Sequence, residues 1–419
     1  MKFFSRLFET KQSRALRIMR IDGEPKAAWS SRNYKAFSTE GYQYNVIASS
    51  AIKRIADAVA TIDWIVRDGD KKVKQHPLID LFSRPNPMQN GAEWWRTRIS
   101  YLLLSGNSYL ERSTVDNRVV ELWPLRPDRM VVAPGRGGIP AYYEYQQDGQ
   151  KLRFSVDPVT GDSDIRHTKL FHPTDDWYGM SPIESAAYAI DQHNEAMQWV
   201  QALLQNSARP SGALIVDAEN PLSDDEFNRL KKEVEDKYSG SRNAGRPMLL
   251  EGGMDWKQMG LSPMDMEILR LKESAARDIS LAFGVPPLLL NIPGDNTYSN
   301  YREARLGFYE DTIIPFITYE LEEMNAWLSP FFGGARIEPD LDSIEALAEK
   351  RQKLWKMADE SFDITLNESR KMKGLDPLPE PLGSTLMAEI KKGPAEKEDP
   401  AAGEAVDNAL KEAARVKSY

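Results

Sequence analysis

The chain has 419 residues, 28% charged and 41% hydrophobic, with no cysteine and a formal net charge of −9. This much apolar material supports a sizeable core or two and excludes a disordered chain, while the absence of cysteine excludes disulfides, thiolate metal sites and cysteine nucleophiles. The acidic balance argues against a tight grip on nucleic acid through phosphate neutralisation, and no apolar run approaches the roughly 18 residues needed to cross a bilayer.

Met1 to Arg20 is basic and carries Phe3, Phe4, Leu7 and Phe8 close together. It lacks the continuous apolar region of a secretory signal and is expected to pack as an arm on a neighbouring surface. The first helix should start at Asn45, because Val46, Ile47, Ile52, Ile55, Ala56 and Val59 form one apolar stripe at helical spacing. Arg84-Pro85-Asn86-Pro87 predicts a proline-broken turn, followed by a helix from Gly91 to about Leu104 that Gly106-Asn107 stops. Short β-branched and aromatic runs between Ser108 and Phe171, among them Val119 to Trp123, Met130 to Val132 and Tyr142 to Tyr145, predict an antiparallel sheet beside the helices.

Ser181-Pro182-Ile183-Glu184 joins an N-cap serine, a proline at the first helical position and a glutamate at the third, and predicts a long helix running to about Gln205. Arg209-Pro210-Ser211-Gly212 ends it. From Ala213 to Gly260 a compact β-α-β-β module follows: strands at Leu214 to Val216, Met248 to Leu250 and Asp255 to Lys257, and a helix opened by the capping box Ser223-Asp224-Asp225-Glu226. Phe227, Leu230, Val234 and Tyr238 mark the buried face of that helix. Ser262-Pro263 opens the next helix, expected to reach Phe283-Gly284 and to be about 30 Å long. If the two long helices are antiparallel neighbours, the small module lies at the far end of a helical stalk.

Val285 to Thr297 is a breaker-rich loop, with Pro286, Pro287 and Pro293 among apolar residues; loops of this length are uncommon and often functional. A helix from about Asn300 to Leu328 should be kinked by Pro315. Arg336-Ile337-Glu338 predicts a returning strand, Asp342 to Glu360 a helix, and Thr365-Leu366-Asn367-Glu368 another capping box. Beyond Gly383 the composition of Ala, Glu, Lys and Pro predicts a disordered or partly helical tail.

Catalytic arrangements are missing from this pattern. There is no Gly-x-x-x-x-Gly-Lys-Ser/Thr phosphate loop, so the chain is not expected to be an ATP-driven motor, and His76, His167, His172 and His193 form no zinc-binding helix. Asp157, Asp162 and Asp164 around Gly161 lack the register of a calcium loop and predict a polar turn. The ten tryptophans are expected to be packing anchors. No enzyme activity, metal or cofactor is expected.

Several stretches, taken in order, resemble the HK97-type phage portal protein family: Arg84-Pro85-Asn86-Pro87, Leu104-Ser105-Gly106-Asn107-Ser108-Tyr109, Tyr178-Gly179-Met180-Ser181-Pro182-Ile183, Ala208-Arg209-Pro210-Ser211-Gly212, Phe283-Gly284-Val285-Pro286-Pro287 and Thr297-Tyr298-Ser299-Asn300-Tyr301. The resemblance spans about Tyr42 to Leu382. It implies an α+β, mostly helical portal fold divided into an N-terminal arm (1–40), wing (41–180), first stem helix (181–209), clip (210–261), second stem helix (262–284), tunnel loop (285–300), long wing helix with returning strand (301–345), crown (346–382) and a flexible C-terminal tail (383–419).

The resemblance further implies a ring of usually twelve subunits at one capsid vertex of a virion, assembled in the host cytoplasm. Its implied partners are further copies of itself, the terminase large subunit as packaging motor, the major capsid protein, a head-tail adaptor and double-stranded DNA bound without sequence specificity. Leu288, Leu289, Leu290, Asn291, Pro293, Asp295, Asn296 and Tyr298 would then face DNA in the bore, and Phe227, Leu230, Val234, Tyr238 and Trp256 would belong to the motor-contacting clip. Twelve inner helices about 10 Å apart enclose a circle about 38 Å across, leaving a lumen of about 27 Å that admits a duplex. A competing reading docks Leu288, Leu289, Leu290 and Ile292 into a neighbouring subunit. The alternative function is another oligomeric head-tail connector or tail component.

Overall fold

A computed structural model describes residues 33–69, 71–205, 212–215, 223, 225–226, 228–229, 232, 255–258, 267–294, 298–375 and 377–391. In chain order it forms α1 (Tyr34–Ala36), α2 (Val46–Ala60), β1 (Trp64–Asp68), β2 (Lys71–Val73), α3 (Pro77–Ser83) and α4 (Gly91–Ser105). Six strands follow: β3 (Asn107–Val115), β4 (Arg118–Leu125), β5 (Met130–Ala133), β6 (Tyr142–Gln147), β7 (Gln150–Ser155) and β8 (Ile165–Lys169). The C-terminal half runs α5 (Pro182–Ser185), α6 (Ala187–Gln205), β9 (Gly212–Ile215), β10 (Asp255–Gln258), α7 (Ile268–Ala282), α8 (Tyr298–Gly307), α9 (Ile314–Leu328), β11 (Arg336–Pro339), α10 (Ala348–Glu360), α11 (Leu366–Met372) and α12 (Met387–Lys391). No described helix is long and apolar enough to cross a membrane.

The strands expected between Ser108 and Phe171 all form, but they divide into two three-stranded sheets, β4-β3-β8 and β5-β6-β7. The second carries its own small core of Tyr143, Tyr145, Met130 and Val132 against Tyr109. The main core joins α2, α4, α7 and α9, with Trp94, Trp95 and Phe82 fully buried among them. The returning strand β11 pairs antiparallel with β1, Ile337 opposite Val66, and ties the end of the long helix to the beginning of the chain.

Three of the quoted stretches act as tertiary joints. The chain stops α4 at Gly106, whose φ of +74° is the left-handed cap conformation that glycine adopts without strain. Its backbone lies against Gly179 so closely that a β-carbon on Gly106 would stand 2.4 Å from the Gly179 carbonyl oxygen. Asn107 Oδ1 accepts from the Gly179 amide at 2.7 Å, and Ser181 Oγ, besides capping α5, donates to the Leu103 carbonyl at 2.7 Å. Asn86, buried in the proline-rich turn, donates to the Leu122 carbonyl at 3.1 Å. These short polar residues satisfy backbone groups that the approach of two segments would otherwise orphan.

Several expectations are corrected. The helix from Ser181 breaks at Ala186 and resumes at Ala187, so α5 and α6 are separate. The helix expected from Ser262 cannot run through residue 267, because Glu267 has φ +48°, and α7 starts at Ile268. The segment from Asp342 opens as two 3₁₀ turns around the extended Ile344, and α10 begins only at Ala348. Between α8 and α9 the chain does not simply kink: Phe308–Ile313 is a π-helical run that delivers Pro315 to the first turn of α9, where a missing amide hydrogen is tolerated. Order also extends past Gly383: Leu366 donates to the Thr385 carbonyl at 2.9 Å and Met387 is buried in α12. Both capping boxes form, at Ser223–Glu226 and at Thr365–Glu368.

Arg98 of α4 and Glu320 of α9 are both fully buried, with Arg98 Nη2 to Glu320 Oε2 at 2.6 Å and Nε to the same oxygen at 3.0 Å. The guanidinium also donates to Thr168 Oγ1 of β8 at 2.9 Å. Burial pushes the Glu320 carboxyl above the usual carboxylate range, and Arg98 pulls it back down. Removing one partner leaves an uncompensated buried charge. Arg98→Met or Glu320→Leu alone should cost about 3–5 kcal/mol in urea unfolding, while the double replacement should recover most of that loss.

The half-buried His167 stacks on Tyr109 with ring centroids 4.3 Å apart, and its Nε2 lies 2.9 Å from Asn107 Oδ1. Burial, with Lys169 and Arg166 nearby, lowers its pKa from 6.5 to about 3. The unfolded chain therefore binds a proton that the folded chain refuses, so this contribution is complete above pH 6.5 and is lost as pH falls towards 3. His167→Phe should weaken the drop in unfolding midpoint between pH 7.5 and pH 5.

Candidate functional site

The site expected from sequence is a pair of long helices with a module at one end and a loop at the other. α6 has 19 residues and α7 has 15, about 28 and 22 Å at 1.5 Å per residue. The two pack on each other, and α5 also contacts the second helix of the pair. Small residues make close approach possible: Ala275 and Ala276 on α7 and Ala196 on α6 are all buried. At the other end β9 pairs antiparallel with β10, Gly212 opposite Gln258 and Ile215 opposite Asp255. The strand after α6 and the strand before α7 are therefore partners, which makes the pair an antiparallel hairpin.

Of the clip residues, Trp256 stands in β10 opposite Leu214. Phe227, Leu230, Val234 and Tyr238 lie outside the described residues, as does the strand expected at Met248 to Leu250. The glycine-turn hairpin with Asp255 to Lys257 is thus untested, whereas the pairing of that strand with β9 is observed.

The loop begins with a Schellman cap. Gly284 sits at φ +63°, its amide donates to the Leu281 carbonyl at 3.0 Å, and the Val285 amide reaches back to the Ser280 carbonyl at 3.0 Å. Thr312 Oγ1, from the π-helical run, donates to the Gly284 carbonyl at 2.6 Å. Pro287–Leu290 then makes one 3₁₀ turn, ended by the left-handed Asn291 at φ +55°.

The first half of this loop is docked in its own subunit. Val285, Leu289 and Ile292 are 2%, 4% and 5% exposed, and the first two belong to the main core. Arg54 Nη2, from α2, donates to the Leu289 carbonyl at 2.7 Å. Leu289 is therefore not a bore-facing side chain, and neither it nor Ile292 is available to a neighbouring subunit; burying them at home removes apolar surface from water without waiting for assembly. Leu288 and Leu290 are half-buried, while Asn291 and Pro293 are exposed. Asp295 and Asn296 lie outside the described residues, and Tyr298 is the first residue of α8.

Sequence reading missed the residues that hold this loop: Arg54, Ser280, Thr312 and Arg277, whose Nη2 donates to the Pro293 carbonyl. The sequence does not single out Arg54, which shares the gap between Ile52 and Ile55 with Lys53 on the exposed side of α2. The three aspartates near Gly161 form no metal site: Asp157 Oδ1 caps a turn through the Val159 and Thr160 amides, and Asp162 and Asp164 pair with Arg112 at 2.7 and 3.3 Å. Among the described residues no His, Cys, Asp and Glu cluster could hold a metal ion.

A body of helices and small sheets, a helix hairpin and a proline-rich loop docked beside α9 is an arrangement that fits a portal-type, head-to-tail connector subunit. Residues 47–374 match the phage portal protein family. The chain is 26% identical over 325 residues to the portal protein of Enterobacteria phage HK97, covering 74% of this chain and 73% of that one. It is 43% identical to a chain in the neck of an empty gene transfer agent particle computed with C6 symmetry, with a TM-score of 0.67, covering 85% of this chain and 97% of that one. A chain in the neck of the native particle computed with C12 symmetry has the same identity and coverage and a TM-score of 0.64. The protein belongs to the HK97-type phage portal family, which gives it a portal, head-to-tail connector role.

Leu289 tests the docked half of the loop. Leu289→Ala should cost about 2–5 kcal/mol in the unassembled chain, measured by chemical unfolding below the concentration at which copies associate. A bore-facing leucine would change stability by no more than a few tenths of that.

Proposed function

We propose that this chain forms a closed ring, of twelve copies, at one capsid vertex and that double-stranded DNA passes through its bore. The observation that carries the reading is the antiparallel α6–α7 hairpin, closed by β9–β10 at one end and followed by the docked loop at the other, in a chain 43% identical to a component of a neck computed with C12 symmetry. Head-to-tail contacts between copies close into a ring when their rotation closes, which suits a channel. In this reading α6 and α7 are the stem, residues 210–261 are the clip that docks the terminase large subunit and later the head-tail adaptor, residues 346–382 are the crown, and the wing meets the major capsid protein.

In this reading the bore contact excludes the buried Leu289 and keeps the exposed Asn291 and Pro293, the half-buried Leu288 and Leu290, and Asp295, Asn296 and Tyr298, which follow in sequence. No lysine or arginine occurs from Val285 to Asn300, so few phosphates would be neutralised and sliding is favoured over retention. The exposed side of α7 mixes Arg270, Arg277, Glu273 and Asp278 and is no basic stripe.

Because the chain has no cysteine, Asn296→Cys gives a single thiol. A bulky label there should leave the ring intact by native mass spectrometry, obstruct DNA packaging, and react more slowly in filled particles than in empty ones. Unimpeded packaging with equal labelling of both particles places the loop outside the channel.

A further inference from the structure

The docked loop ends at a contact that none of its neighbours explains. Arg277 lies on the exposed side of α7, yet its Nη2 reaches across to the Pro293 carbonyl, sixteen residues further on. Gly294 sits directly beneath that guanidinium. A β-carbon built on Gly294 would stand 2.8 Å from Arg277 Nη2, and the three nearest atoms it would meet all belong to Arg277. Gly294 is not among the glycines in the left-handed region, so its backbone does not call for glycine. The space a side chain would take there is filled by the arginine that covers it, the movable end of a side chain rather than backbone.

The other holding bonds act upstream. Thr312 takes the Gly284 carbonyl, Ser280 takes that of Val285 and Arg54 takes that of Leu289. Among the described residues of the loop burial ends at Ile292, and the hydrogen bond that reaches the exposed Pro293 comes from Arg277. We propose that Arg277 and Gly294 form a latch that positions the end of the docked loop and so fixes where the chain leaves the subunit core on its way to α8. Neither residue is placed against DNA; they act on the exposed residues beside them. The consequence for DNA rests on the channel reading above.

Three variants test the latch in the full-length assembled chain. Arg277→Met removes the donor and its charge. Gly294→Ala keeps the charge and displaces the guanidinium, the flexible end of a side chain, without straining the backbone. The third variant combines both. Amide hydrogen exchange of Asn291 and Ile292, which donate to the Leu288 and Pro287 carbonyls, reads the loop directly. Each single variant should speed their exchange about 3- to 10-fold, and the double variant should go no further, because both break one contact. Amides of α2 should be unchanged. Unaltered exchange in either single variant, or additive effects in the double, overturns the latch. DNA passage through rings of Gly294→Ala separates the two readings: a changed rate of packaging or escape supports both, while faster exchange with unchanged DNA passage keeps the latch and overturns the channel role of the loop.

Discussion

The buried pair Arg98–Glu320 is the interaction on which the rest of the structure depends. It joins helices 222 residues apart in sequence, and through Thr168 and Ser108 it also fixes β8 and β3 to them. Such a pair contributes little net stability when weighed against apolar residues of the same size. It does penalise every arrangement in which α4 and α9 slide or separate, since one ion would then be left alone in an apolar interior. The α4–α9 joint therefore has one register. The π-helical run before α9, β11 and the docked loop all take their positions from that register.

From this joint the construction of the site follows. Thr312 precedes α9 by two residues and grips the cap of α7, so the long helix that Glu320 anchors also holds the end of the helix hairpin. Arg54 of α2 and the core residues Leu289 and Ile292 complete the hold. The proposed DNA channel would need bore residues whose positions do not drift. A loop tied by its backbone carbonyls to three separate elements meets that need better than one tied only by side chains, because its exposed residues can vary without altering the path of the chain.

The family pattern has a physical content in this chain. The Gly106–Asn107 and Gly179 stretches meet backbone to backbone, Asn86 closes the proline turn on β4, and Phe283-Gly284-Val285 is a Schellman cap. Each uses a residue type that few others can replace: a glycine for close approach or a left-handed φ, or a short polar side chain for an orphaned backbone group.

By itself the sequence determined the local features. The helix starts at Asn45 and Gly91, the stop at Gly106, both capping boxes, the strand runs from Tyr109 to Phe154 and the order of helices, loop and returning strand were legible because each depends on residues within about four positions of one another. The family was legible from the order of its short stretches. Tertiary structure alone decided which side of a chemically plausible residue faces inward. Leu288, Leu289 and Leu290 are alike as letters, yet only Leu289 is buried, since the 3₁₀ turn aims one of three successive side chains into the core. The strands could not announce that they divide into two sheets, nor Arg98 that its partner is Glu320, nor Gly294 that it lies beneath Arg277. Those outcomes rest on contacts between distant segments, whose free energy exists only once the chain has brought them together.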